Sequence, residues 1–274
     1  MTTAAAAGNL LVLVLVALTP ALAYLAWVRK GERYRAEGWG PLLSGFAYGA
    51  IFATLAAGFL EIVVLAAGSS LAQRFPGPEF LFLKKGSTAA AFFLVLVLAP
   101  FIEEALKASG VVGRRASLRQ LADGPVLGAA VGLGFGFFET FLYGLGAFLT
   151  GGLVAGLALI LIRSVSSVLL HGSSTGMFGY GYARSRFRLP GAGSGSYYLL
   201  AVAMHASFNA LASLPILLAL FGFGGVETLV GSFVGLLAAI AFAIGAIEHV
   251  RTVVQTASYP ALLRGGPGRA PPPR

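Results

Sequence analysis

The sequence predicts an all-α membrane protein, a polytopic bundle of about seven transmembrane helices. Of its 274 residues, 57% are hydrophobic and only 11% are charged, and the mean hydropathy is +0.86. An ordinary soluble domain has ~25% charged residues, so this chain has too few to cover a soluble globule. Its apolar runs are continuous over ~20 residues, as membrane-crossing helices require, whereas the strands of a membrane β-barrel alternate over ~10 residues.

Seven apolar runs define the predicted helices. In order they are 8–28, 42–68, 88–112, 125–149, 153–182, 197–221 and 227–252. They form one membrane domain over 1–257, and the Pro-, Gly- and Arg-rich residues 258–274 are expected to be a disordered tail. Ala21-Leu22-Ala23 resembles a signal-peptide cleavage site, but no basic residue precedes Arg29, so we expect the first helix to be retained.

Basic residues cluster at one side of these helices. Fourteen of the nineteen follow the first, third, fifth and seventh runs: Arg29, Lys30, Arg33, Arg35, Arg114, Arg115, Arg119, Arg184, Arg186, Arg188, Arg251, Arg264, Arg269 and Arg274. The other side has Arg74, Lys84 and Lys85. The positive-inside bias therefore predicts an outside N-terminus and a cytoplasmic C-terminus.

The net charge of +9 is thus mainly a topology signal, with anionic lipid contact as a secondary role. It does not support nucleic-acid binding. The chain has no cysteine, which excludes disulfides, thiolate metal sites and a cysteine nucleophile.

Ionisable side chains inside the spans are costly, and each marks a candidate functional site. In the third run, Glu103 and Lys107 are i,i+4 and share a helix face, while Glu104 is i,i+3 from the same lysine. One ammonium fully neutralises only one carboxylate, which leaves the other as a base or ligand. The alternative is a buried structural salt bridge, but two adjacent glutamates are a costly way to make one.

The fourth run carries Glu139 one helical turn beyond Phe135. The same helix has Gly128, Gly132 and Gly136 at intervals of four. This small-residue spacing predicts the close approach of a neighbouring helix. Glu139 is therefore expected near a helix–helix contact.

The fifth and sixth runs carry two histidines. Arg163 lies two turns before His171 and is expected to neutralise a buried carboxylate, with Glu61 as one candidate. His205 and Asn209 are i,i+4, so their side chains point into the same space.

Depth in the membrane relates these sites to one another. Counted from the predicted cytoplasmic ends at ~1.5 Å per residue, Glu103, Glu139, His171 and His205 lie within about 9 Å of one level. We therefore expect four helices to form one cavity in the cytoplasmic half.

The ordered set Glu-Glu-x-x-Lys, Phe-x-x-x-Glu, His-x-x-x-x-Gly and His-x-x-x-Asn, each in its own span, resembles the PrsW family of intramembrane proteases. That family is related to the CAAX prenyl endopeptidase and bacteriocin-processing superfamily, and the likeness covers about 40–215. The resemblance implies that the site residues are Glu103, Glu104, Lys107, Glu139, His171 and His205. Asn209 stands where many members have Asp.

The resemblance implies hydrolysis of a peptide bond in a membrane-anchored protein, such as a regulatory factor, at a prokaryotic plasma membrane. Two mechanisms fit the residues. In the preferred one, Glu103 activates water without a required cofactor, Glu104 is an alternative base, and His205 and Asn209 donate to an oxyanion.

The other mechanism uses zinc or another divalent metal. His171 and His205 would hold it with Glu103 or Glu139, because catalytic zinc sites use three protein ligands and a water. The chain has no His-Glu-x-x-His motif to favour this choice.

Two other classes of function use similar residues. A non-catalytic scaffold or chaperone of the same superfamily keeps the fold, but it has no need of the complete Glu and His set. An ion-coupled transporter also buries Glu and His, but this chain has no paired halves. The expected partners are a membrane-anchored protein substrate and the lipid bilayer, and the oligomeric state is left open.

Overall fold

The computed structural model describes residues 3–75, 77, 83–84 and 86–258. Within these ranges the chain is helical and contains no strand, which confirms the all-α prediction. The predicted tail at 258–274 lies outside the described residues except for Ser258.

Ten α-helices, with two π-helical turns and a short 3-10 turn, account for the described chain. They are α1 (Thr3–Arg29), α2 (Trp39–Ala47), a first π-turn (Tyr48–Ala53), α3 (Thr54–Arg74), α4 (Thr88–Phe93), a second π-turn (Leu94–Leu98), α5 (Ala99–Gly113), a 3-10 turn (Arg115–Ser117), α6 (Asp123–Ser164), α7 (Ser167–Arg186), α8 (Ser194–Ala212), α9 (Leu214–Leu220) and α10 (Val226–Ala257). The first π-turn joins α2 to α3, and the second joins α4 to α5.

Five helical stretches among the described residues are long and apolar enough to cross a membrane, and one of them contains two crossings. This stretch, Asp123–Arg186, has 64 residues and is broken at Gly152, whose φ of +80° leaves the helical region. Gly124 packs against Gly179, and Gly144 packs against Ile160, so the two arms run antiparallel about Gly152. These arms match the predicted runs 125–149 and 153–182.

The predicted run 197–221 forms a broken span. Its helices α8 and α9 meet at a bend of 68°. With this pair and the two arms of the hairpin, the described residues contain about seven crossings, as predicted.

Glycines in α6 allow α7 to pack directly against its backbone. A Cβ added at Gly128 would lie 2.2 Å from the carbonyl oxygen of Thr175, and one added at Gly132 would lie 2.0 Å from that of His171. Real Cβ contacts are essentially never under 3.0 Å, so only glycine fits at these positions. This close approach confirms the packing predicted from the glycine spacing and identifies α7 as the neighbour.

The loop between α1 and α2 is tied to the start of α6. Arg35 donates to Asp123 Oδ2 over 3.1 Å, and the same oxygen accepts from the backbone N–H of Gln120 over 2.9 Å. Glu32 Oε2 accepts from the backbone N–H of Glu37 over 2.7 Å. The pKa of Glu32 is raised to about 7, chiefly by burial and also by the carboxylates of Asp123 and Glu37, while the hydrogen bond from the Glu37 backbone N–H opposes the rise.

Candidate active site

Four helices bring the predicted site residues together. Helix α5 carries Glu103, Glu104 and Lys107, α6 contributes Glu139 and Arg163, and α7 and α8 each contribute one histidine to the same region. They surround a cavity of about 300 Å³. The ionisable and amide side chains that line it are Glu61, Glu103, Glu139, Tyr143, Arg163, His171, His205 and Asn209.

Lys107 and Glu104 form the buried floor of the site. The Lys107 ammonium is fully buried and lies 2.7 Å from Glu104 Oε1. Glu104 Oε1 also accepts from the Ser174 hydroxyl over 3.0 Å and lies 3.0 Å from His205 Nδ1. Glu104 is therefore saturated with partners and does not line the cavity.

Glu103 differs from its neighbour because it lines the cavity. Its Oε2 is buried and has no hydrogen-bond partner among the described residues. This oxygen lies 3.6 Å from Lys107 Nζ and 3.9 Å from His205 Nδ1. One carboxylate of the adjacent pair is therefore held by partners, and the other has a free oxygen at the cavity.

The partners of the two imidazoles assign their tautomers. His171 Nδ1 lies 2.9 Å from Lys107 Nζ, and an ammonium only donates. The hydrogen of neutral His171 is therefore on Nε2, which donates to Glu139 Oε2 over 2.9 Å. Because the Glu104 carboxylate only accepts, His205 carries its hydrogen on Nδ1 and keeps a lone pair on Nε2. In this neutral form Nε2 is an acceptor, so the predicted donation from His205 to an oxyanion requires a protonated ring.

Arg163 neutralises Glu139. Its Nη2 lies 2.6 Å from Glu139 Oε2 and 2.9 Å from the Ser167 hydroxyl oxygen. The candidate partner Glu61 was therefore wrong, because the antiparallel hairpin places Glu139 opposite Arg163. Glu61 lines the same cavity but forms no hydrogen bond or ion pair with the part of the chain that the structure describes.

Asn209 lies at the cavity beside the second π-turn. Its side-chain amide donates one hydrogen to the Val95 carbonyl over 2.8 Å. A carboxamide has two N–H donors, so a second remains for a bound group.

The sequence reasoning missed Ser174 as a partner of the site. Its i+3 spacing from His171 places both on one face of α7, and this spacing was the signal that could have found it.

The cavity extends in one direction from the level of the glutamates and histidines. Its other lining residues lie toward the ends of the helices that are remote from the basic loops. Val95 precedes Glu103, Arg163 precedes His171, and Ser213 follows His205. On the basic side, the glycine contacts of α6 and α7 close the bundle.

Buried carboxylates and imidazoles that converge on a cavity within a helical membrane bundle are typical of a membrane-embedded enzyme. A family model described as PrsW family intramembrane metalloprotease matches residues 37–245. The chain belongs to this family of intramembrane proteases. No curated protein and no solved structure matched the chain.

The family description implies a metal, and the donors in this site fit one. Ligand atoms of Glu103, His171 and His205 lie within 4.8 Å of one another. Glu103 Oε2 has no hydrogen-bond partner among the described residues, and His205 offers Nε2 while its Nδ1–H is held by Glu104, the pairing that metal-bound histidines use. His171 would have to release Lys107 or Glu139 to become the third ligand.

Proposed function

We propose that this chain hydrolyses a peptide bond of a membrane-anchored protein by means of water activated at Glu103. The observation that carries this proposal is the buried Oε2 of Glu103, a cavity-lining residue: this oxygen has no hydrogen-bond partner among the described residues, and ligand atoms of Glu103, His171 and His205 lie within 4.8 Å of one another. A carboxylate without a hydrogen-bond donor is costly to bury and is retained where it accepts a proton or binds a cation.

The chemistry assigned to Glu103 is general base and then general acid catalysis. Glu103 takes a proton from water while the water oxygen bonds to the carbonyl carbon of the peptide. The C–N bond then breaks as the nitrogen receives the proton from Glu103, and the products are a carboxylic acid and an amine, which exchange one proton to give a carboxylate and an ammonium ion. The second N–H of Asn209 is the proposed donor to the oxyanion, and one such donor contributes about 3–4 kcal/mol.

Glu104 and Lys107 have a positioning role in this proposal. Glu104 holds the Lys107 ammonium and the His205 ring, both of which lie beside Glu103. The Lys107 ammonium lies 3.6 Å from Glu103 Oε2 and places a positive charge beside the base.

The same residues account for metal dependence if the chain uses a metal. A zinc ion held by Glu103, His171 and His205 would supply a Lewis acid that polarises the carbonyl and activates water. Glu103 would then be a ligand, and Glu104 and Glu139 would keep the two rings oriented through their hydrogen bonds.

The cavity also supports a direction of approach. It extends away from the basic loops, which the positive-inside rule assigns to the cytoplasm. We therefore propose that the substrate reaches the site from the extracytoplasmic half of a prokaryotic plasma membrane.

Cleavage by purified protein in phosphatidylethanolamine/phosphatidylglycerol vesicles tests the proposal. Membrane proteins from the producing cells serve as substrates, and new N-termini are labelled and identified by mass spectrometry. We expect new termini near a membrane segment with the unaltered protein, and a rate at least ~10²-fold lower with Glu103→Gln. Glu248→Gln is the matched control, because Glu248 is exposed on α10.

Full cleavage by a folded Glu103→Gln variant would refute the role of Glu103. Partner binding without cleavage by the unaltered protein would favour the scaffold alternative. Metal content of the purified protein, compared with His205→Ala and with and without a chelator, separates the two mechanisms. The metal-dependent mechanism would be established if the purified protein contains stoichiometric metal, the His205→Ala variant lacks it, and a chelator abolishes cleavage.

A further inference from the structure

A second, larger cavity lies between α3 and α4. It has a volume of about 590 Å³ and an apolar lining. Its main lining residues are Ile62, Leu65 and Ala66 of α3, Ala90 and Ala91 of α4, and Leu94 of the second π-turn. We refer to this cavity as the α3–α4 groove.

Helices α3 and α4 make few contacts with each other in the part of the chain that the structure describes. Among the described residues, α4 makes extensive contact only with the π-turn that continues it. Ala66 and Ala91 both line the groove and are exposed. Small residues in membrane helices permit the close approach of another helix, and no helix among the described residues occupies this groove.

The groove adjoins the catalytic cavity. Leu94 lines both, and Ile62 of the groove directly follows Glu61 of the catalytic cavity. From Ile62 the groove extends along α3 to Ser69, about 10 Å at ~1.5 Å per residue, away from the basic loops.

Glu61 distinguishes a polypeptide from a lipid as the occupant. Its carboxylate lines the catalytic cavity, next in sequence to Ile62 of the groove, and has no hydrogen-bond or ion-pair partner among the described side chains and backbone. A transmembrane helix that unwinds for cleavage exposes backbone N–H groups, and each one left unpaired in the membrane costs several kcal/mol. A lipid acyl chain has no donor for Glu61.

We propose that the α3–α4 groove holds the transmembrane segment of the substrate, and that Glu61 accepts N–H groups of this segment where it passes into the catalytic cavity. This inference rests on the proposed protease function. It assigns the recognition of the substrate to a surface separate from the hydrolytic residues.

Cysteine cross-linking tests the groove without requiring cleavage, and the chain has no cysteine of its own. The probe is a synthetic peptide that joins a fluorescein-labelled casein fragment to a Leu/Ala membrane segment of about 20 residues with one cysteine at its centre. It is mixed in vesicles with the Glu103→Gln protein carrying either Ala66→Cys or Ala67→Cys. Both alanines are exposed on α3, but only Ala66 lines the groove.

We expect at least five times more disulfide with Ala66→Cys than with Ala67→Cys. Equal cross-linking at the two positions, the result for a lipid-filled groove, would overturn the proposal.

A cleavage measurement separates this proposal from the proposed function. The casein fragment is offered with and without the membrane segment to the active protein. Ala66→Trp, which fills the groove, is expected to lower the rate for the anchored probe at least tenfold more than for the free fragment, whereas Ala67→Trp preserves the ratio. If the peptide cross-links selectively to Ala66→Cys but neither probe is cleaved, the protease function alone is contradicted. If both probes are cleaved but cross-linking is not selective, the role of the groove alone is contradicted.

Discussion

Replacement of Gly132 by alanine tests how the helix packing positions the catalytic groups. The added Cβ would lie 2.0 Å from the His171 carbonyl oxygen, whereas ordinary van der Waals contact begins at 3.4 Å. Because the obstacle is backbone, α7 must move away from α6 by more than 1 Å. The perturbation therefore acts on the residue that carries one of the two imidazoles.

The displacement is large compared with the tolerance of the site. His171 is held by contacts of 2.9 Å to Lys107 and 2.9 Å to Glu139, and both contacts weaken when the ring shifts by more than 1 Å. Overpacking costs about 1–3 kcal/mol of stability, and a misplacement of ~1 Å can lower a rate ~10²-fold. We expect Gly132→Ala to lower both, with the larger effect on cleavage.

The assay is cleavage in vesicles together with thermal unfolding in detergent, and Gly146→Ala is the control. Gly146 lies in the same helix, and a Cβ added there meets nothing within 4 Å. Its replacement should leave cleavage unchanged and stabilise the helix by up to ~1 kcal/mol. Equal cleavage and unfolding temperatures for the two variants would refute the proposed tight contact.

Three further predictions concern polar side chains. Ser174→Ala removes one hydrogen bond to the buried Glu104 carboxylate and should lower the free energy of unfolding by about 1.5–3 kcal/mol, and an unchanged unfolding curve would contradict this contact. The Arg163→Gln and Glu139→Gln variants should show a coupling of about 0.5–3 kcal/mol in a double-mutant cycle of unfolding, and strictly additive effects would disprove their ion pair. The pKa of Glu32 is about 7 in the folded protein against an ordinary 4.5. Between these two pH values the folded protein keeps a proton on Glu32 that the unfolded chain has released, so the contribution of Glu32 to the free energy of unfolding falls as the pH rises from about 4.5 to 7. Glu32→Gln should therefore raise the unfolding temperature more at pH 8 than at pH 5, and the reverse order would be incompatible with this assignment.

The spans could be predicted from the sequence because the hydrophobic requirement for crossing a bilayer is met locally. Each run of ~20 apolar residues satisfies its own backbone hydrogen bonds as a helix, so its position does not depend on distant residues. The pairing of Lys107 with Glu104 has the same local origin, since i,i+3 residues on one helix are neighbours wherever the helix packs. The glycines of α6 likewise predicted a close helix contact, although not which helix would make it.

Contacts between helices required the tertiary structure. The partner of Arg163 is Glu139 rather than Glu61, because the break at Gly152 folds the two arms antiparallel and sets their register.

The distinction between the two adjacent glutamates follows from the same kind of packing. Glu104 is saturated because α7 and α8 bring Ser174 and His205 to it, while Glu103 on the next residue faces the cavity.

By itself, then, the sequence determined which residues lie in the membrane. It also determined which ionisable side chains cost so much free energy to bury there that each one marks a candidate functional site. Only the packing of the helices decided which of these groups meet, on which side their cavity extends, and that an apolar groove adjoins it. The physical reason is that membrane insertion depends on the composition of each segment, whereas a hydrogen bond between segments depends on their rotation and register to within about an ångström.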